Sequence, residues 1–153
     1  MQTPPFIAQY IDPLLQSSGL WFIARLSLAV VFIASGAAKV IDFRGGVAEM
    51  RAAGLEPAIL INIAVATLML AGSVLILADR ALWLAAAALG VFLLLTIVLV
   101  HAFWRLPPPQ AKLALFFALE HVSVIGGLLA AAIASHFRAL TCLLYTSPSP
   151  RDS

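Results

Sequence analysis

The chain has 153 residues, 63% of them hydrophobic and 10% charged, with a mean hydropathy of +1.05 and a formal net charge of +2. A soluble domain carries about 25% charged residues, and a chain this short stays mostly surface, with no core large enough to hide so much apolar area. These values exclude a soluble globular domain. The small net charge, with no basic run, excludes an electrostatic nucleic-acid binder.

Residues 1–19 are polar to mildly apolar and include Pro4 and Pro5. They read as a segment lying at the membrane surface. No basic residue precedes the first apolar stretch. A cleaved leader has a positive start and a shorter apolar core, so the first apolar stretch reads as a retained helix.

Four apolar stretches follow, at about 20–41, 58–78, 81–103 and 113–137, of 22, 21, 23 and 25 residues. At about 1.5 Å per residue each reaches about 30 Å, the thickness of a hydrocarbon core. Lipid offers the backbone no hydrogen-bonding partner, so such stretches must be helical. None shows the alternation of a membrane barrel. The fold class is therefore all-α, a polytopic bundle of four transmembrane helices.

The connections set the order. The segment 42–57 (DFRGGVAEMRAAGLEP) is the longest loop, with a short surface helix expected around Val47–Ala53 between Gly45-Gly46 and Gly54. Asp79–Arg80 alone separates the second and third stretches, so they form a tight antiparallel hairpin. Pro107-Pro108-Pro109 forces a break, because proline lacks the N–H that a continuing helix needs. The helices alternate in direction, which defines two faces. Face A carries both termini, Arg25, Arg80 and Arg138. Face B carries Lys39, Arg44, Arg51, Arg105 and Lys112. The excess of positive charge favours face B as cytoplasmic. Trp21 and Trp83 fall at face A and Trp104 at face B, where aromatic anchors belong.

Ionisable residues inside a span are costly unless partnered, and each is a candidate functional residue. Lys39, Asn62, His101, Glu120 and His121 come from four helices and occupy the half of the membrane towards face B. Glu120 is the deepest and needs a partner, with Lys39 or a histidine at its level. His121 is rotated by about 100° from Glu120. Lys39 alternatively snorkels to the headgroups, Asn62 bonds between helices, and His101 sits at the interface beside Trp104. Arg25 is a second polar position, near face A. Gly36, Gly72, Gly126 and Gly127 read as close-packing positions between helices.

The run RLSLAVVFIASGAAKVIDFRG, then AGLEPA, LMLAGSVLIL before Arg80, VHAFW and EHVSVIGGLL resembles the DoxX family of small bacterial membrane proteins. The resemblance covers about Ile23–Ala132 and implies a four-helix membrane fold in the bacterial inner membrane. Arg25, Gly36, Lys39, Asp42, His101 and Gly126-Gly127 match positions that recur in such sequences. Two departures stand out. Leu68 and Met69 occupy the place where relatives often carry a glutamate, and Glu120-His121 replaces a frequent Lys-Asn. The family's name comes from sulfur oxidisers, where members belong to a thiosulfate:quinone oxidoreductase. Others accompany membrane oxidoreductase complexes. The resemblance thus implies a redox setting, with quinone as the expected ligand class and oxidoreductase subunits as expected partners.

From Cys142 the pattern changes. Cys142–Asp152 (CLLYTSPSPRD) resembles the translation of a sequencing adapter, so residues 142–153 read as a tail that is not native. That removes Cys142, the one cysteine, from any redox or metal argument. No nucleotide motif, metal-ligand spacing or nucleophile triad appears. Four readings remain open: a quinone-linked oxidoreductase subunit, a non-enzymatic scaffold, a solute or proton-coupled transporter acting as a homo-oligomer, and a haem held between His101 and His121. The lipid bilayer is the expected surrounding in all of them.

Overall fold

The structure is a computed structural model that describes residues 5–146. The chain forms α1 (Pro5–Gln16), α2 (Ser18–Ile41), α3 (Phe43–Ala52), α4 (Ala58–Ala78), α5 (Leu82–Leu99), a single 3-10 turn (Phe103–Arg105) and α6 (Gln110–Thr146). Four helices are long and apolar enough to cross a membrane: α2, α4, α5 with its following turn, and α6. Strands are absent from the described residues. The molecule is an all-α polytopic bundle.

Local chemistry sets the element ends. Ser17 caps α2, its hydroxyl accepting from the Leu20 N–H at 3.1 Å. The Asp42 carboxylate then accepts from the Gly45 N–H at 3.0 Å and starts α3. That cap, which satisfies one of the free N–H groups of a first helical turn, explains why α3 begins at Phe43 rather than near Val47. Gly54 follows at φ +74, a left-handed position that glycine adopts without strain, and ends the surface helix. The hairpin between α4 and α5 turns through Asp79 at φ 53 and Ala81 at φ 47, a three-residue reversal.

The bounds of two spans differ from the sequence expectation. α5 stops at Leu99, so His101 lies beyond its helical frame. α6 begins at Gln110 and runs well past Phe137, through Cys142, to Thr146. The residues expected as a surface segment, 1–19, include α1, whose Phe6, Tyr10, Leu14 and Leu15 are exposed. Of the expected non-native tail, residues 147–153 lie outside the described residues, as do 1–4 at the other end.

The spanning helices pack in a ring: α2 on α4, α4 on α5, α5 on α6, and α6 back on α2 more lightly. The core is built from Ala29, Phe32, Met69, Ile76, Leu89 and Leu128. Apolar side chains such as Val30, Leu60, Leu94 and Leu129 point outward, where lipid tails receive them. Lipid is as apolar as leucine, so close packing rather than water exclusion holds such helices together. Two glycines serve that purpose. A Cβ on Gly36 would stand 2.9 Å from Leu70 Cγ, and one on Gly72 would stand 2.8 Å from Leu89 Cδ1. The α2–α4 and α4–α5 contacts therefore depend on bare backbone.

Candidate functional site

Near face B the ring opens into a cleft of about 910 Å³ between α2, α3, α4 and α5. Its walls are apolar, with Met50 from α3, Ile61, Val65 and Met69 from α4, and Phe92, Leu95 and Leu99 from α5. Its polar groups are Ser35, Lys39 and Asp42 on or just after α2, Glu49 on α3, Thr96 on α5 and His101 beyond it. An apolar trough with a few convergent polar groups at one end is the usual form of a small-molecule site.

Lys39 is the cation of the cleft. Its side chain is only 13% exposed, and its ammonium donates to Glu49 Oε2 at 2.6 Å. The partner is thus Glu49 on the surface helix, not Glu120. Glu49 itself is 68% exposed, so water screens the pair on the α3 side and the attraction is modest. The pair ties α3 to the end of α2.

Asn62 sits beside this pair, fully buried, and its Nδ2 donates to the Lys39 carbonyl at 3.4 Å. Its Oδ1 is buried with no hydrogen-bond partner among the described residues and lies against the backbone of Gly46. A smaller hollow on the α2–α4 side is lined by Lys39 and Asn62. Asn62 therefore joins α2, α3 and α4 without lining the main cleft.

His101 lines the cleft as well. Its ring stacks on Phe117 of α6 with centroids 5.1 Å apart and meets the His121 ring edge-on, also at 5.1 Å. His121 Nδ1 lies 2.7 Å from the Phe117 carbonyl oxygen. The two imidazoles touch directly.

The five polar candidates thus fall into four places. Lys39 and His101 face the main cleft, Asn62 lies behind Lys39, and His121 backs His101. Glu120 is exposed on α6, away from the cleft, where no described residue hydrogen-bonds or pairs with it. Of the glycines on α6, a Cβ on Gly127 would meet Leu28 at 3.4 Å, while one on Gly126 would meet nothing within 4 Å.

Arg25 belongs to a separate assembly at face A. It is only 9% exposed, and its Nη1 donates to the carbonyls of Ile76 at 3.3 Å and Leu77 at 2.5 Å. Its guanidinium lies 5.4 Å from the Trp21 ring centre, with Arg138 at 5.6 Å from the same ring. Trp21 Nε1 and Ser135 Oγ each donate to the Asp79 carboxylate at 2.6 Å. Burial works against the Asp79 charge. The hydrogen bonds from Ser135 and Trp21 and the guanidiniums of Arg25 and Arg138 outweigh it and hold the carboxyl below the usual carboxylate range. This network locks α2, the α4–α5 turn and α6 together.

Glu49 carried no signal in the sequence as a site residue, and Asp79 carried only an indirect one. Both lie in connecting segments, where charge is expected for solubility alone. The Asp79 signal was its neighbourhood: one carboxylate in a two-residue connection between long apolar runs, level with Trp21 and Arg25.

No curated protein and no solved structure matches the chain. The DoxX family model matches residues 20–102, more than half of the chain. The match contains every residue that lines the cleft and stops before α6. The chain belongs to the DoxX family.

Proposed function

We propose that this protein is the quinone-binding membrane subunit of an oxidoreductase complex in the bacterial inner membrane. The observation that carries the reading is an apolar cleft with an ammonium and an imidazole at its polar end. A quinone has the matching form, a ring with carbonyl oxygens at opposite edges and an isoprenoid tail. Lys39 Nζ is placed to donate to one carbonyl oxygen, in exchange for or alongside Glu49. His101 serves the other oxygen and is able to hold or release a proton there. Phe92 offers a flat wall, and Met69, Leu95 and Leu99 accept the tail. A bound quinone would supply two-electron chemistry coupled to protons. The residues of this chain bind it, orient it and handle the protons.

Purified full-length chain in lipid nanodiscs, titrated with a short-tailed quinone, tests the reading. Saturable binding is expected, weakened about 10-fold or more in Lys39→Met, since a charge-assisted hydrogen bond contributes about 1.5–3 kcal/mol. Binding equal in wild type and in Lys39→Met combined with His101→Phe would reject the site. Co-purification with a flavin, haem or iron–sulfur subunit from the native membrane is the expected sign of the complex.

A further inference from the structure

The contact between His101 and His121 has no part in holding a ligand, yet it gives the cleft an outlet. We infer that the two imidazoles form a proton relay leading from the cleft to His121 on α6. The inference rests on the reading of the cleft as a quinone-type site.

Three observations support it. His101 lines the cleft, whereas His121, on α6, does not. The ring centres are 5.1 Å apart, and two imidazoles joined by an N–H···N bond of about 2.9 Å stand about 5 Å apart at their centres. The relay requires the His101 ring to turn about its Cβ–Cγ bond and bring a nitrogen to His121, whose own ring stays on the Phe117 carbonyl. Third, His121 Nδ1 faces the Phe117 carbonyl oxygen at 2.7 Å. A carbonyl only accepts, so Nδ1 carries the hydrogen, and in the neutral ring Nε2 carries the lone pair. A backbone carbonyl fixing the tautomer in this way leaves the second nitrogen basic.

The transfer balances. The O–H bond of a ligand hydroxyl breaks and an N–H bond forms on one nitrogen of His101. The N–H on the other His101 nitrogen breaks, and an N–H forms at His121 Nε2. The positive charge comes to rest on His121, where the Phe117 carbonyl stabilises it. The ligand oxygen keeps its electron pair beside the Lys39 ammonium. The charged groups around the pair are Lys39 and Asp42 from the α2 side and Glu49 from α3, all lining the cleft with His101. On α6, Lys112 is occupied over the Phe116 ring at 6.0 Å, and Glu120 is turned outward. Among these groups only His121 is in ring contact with His101 and has a free lone pair.

The test uses side-chain nitrogen NMR of the full chain in nanodiscs, with histidine labelled. The probe is an alkyl-tailed nitrophenol, studied beside its O-methyl ether, at a pH where the free phenol is protonated. In the free chain the neutral His121 ring is expected as the Nδ1–H tautomer. Binding of the phenol is expected to convert it to the doubly protonated form, and binding of the ether is expected to leave it neutral. In His101→Phe, which keeps an aromatic ring against Phe117, with the phenol raised until the site is filled, His121 is expected to stay neutral. An Nε2–H tautomer in the free chain, or a His121 signal that ignores the bound phenol or answers the ether equally, would overturn the relay alone. Failure of wild type to bind either probe would overturn the cleft reading and the relay with it.

Discussion

Gly46 shows how one missing side chain holds a site together. A Cβ there would run into Asn62 Oδ1, which is buried between α2, α3 and α4. Gly46→Ala is therefore expected to lift α3 from α4, costing about 1–3 kcal/mol as overpacking does. Thermal unfolding in detergent would read this as a lowered midpoint, together with weaker quinone binding because α3 forms a cleft wall. At the opposite face, Asp79 gives a pH signature. Its folded-state pKa lies below its unfolded value of about 3.9. The folded state thus prefers the charged form, and the stabilisation is complete above the unfolded pKa and lost as pH falls through the folded one. Asp79→Asn is expected to lower the thermal midpoint at neutral pH. The gap to wild type should close below about pH 4. A gap that stays constant down to strong acid would count against the ionised network.

The element that shapes the cleft is α3. It is short, capped by Asp42, and tied to the spanning helices through Lys39–Glu49 and the Gly46–Asn62 contact. Glu49 competes with any ligand oxygen for the Lys39 ammonium. Glu49→Gln is expected to tighten quinone-analogue binding by about 3- to 10-fold, within the span of a charge-assisted bond, in contrast to the loss in Lys39→Met. Equal affinities in wild type and Glu49→Gln would show that the ion pair does not oppose the ligand. The spanning helices obey a different constraint. Gly72→Val places methyls against Leu89 and is expected to destabilise the α4–α5 pair by about 1–3 kcal/mol. Gly126→Val enters open space and is expected to leave the unfolding midpoint of the isolated chain unchanged.

At the scale of the molecule, the two ends of the bundle differ. Face A is tied by Trp21, Arg25, Asp79, Ser135 and Arg138, while face B holds the cleft and the surface helix. Trp83 and Trp104 are 68% and 53% exposed at opposite ends, whereas Trp21 is engaged by Asp79 and two guanidiniums. In single-tryptophan variants, lipids brominated near the headgroup are expected to quench Trp83 and Trp104 strongly and Trp21 less. Strong quenching by bromine at the chain ends instead would place the bundle at another depth. The sequence by itself determined the solvent, the number of helices, their alternation and the two faces. Length and hydropathy settle these, because lipid forces every long apolar run into a helix. It also carried the family, whose matched residues contain the whole cleft. It did not determine which polar groups meet. Helices α4 and α5 are apolar all round, so their patterns carry no sign of which side turns inward. Glu120 was legible as an acid at membrane depth, but its outward direction depends on how α6 rotates against α5. Only the tertiary structure decided that Lys39 pairs with Glu49, that Asp79 gathers three helices, and that His101 and His121 meet. Each of these depends on helix rotation or on a connecting segment folding back, and neither leaves a periodic trace in the sequence.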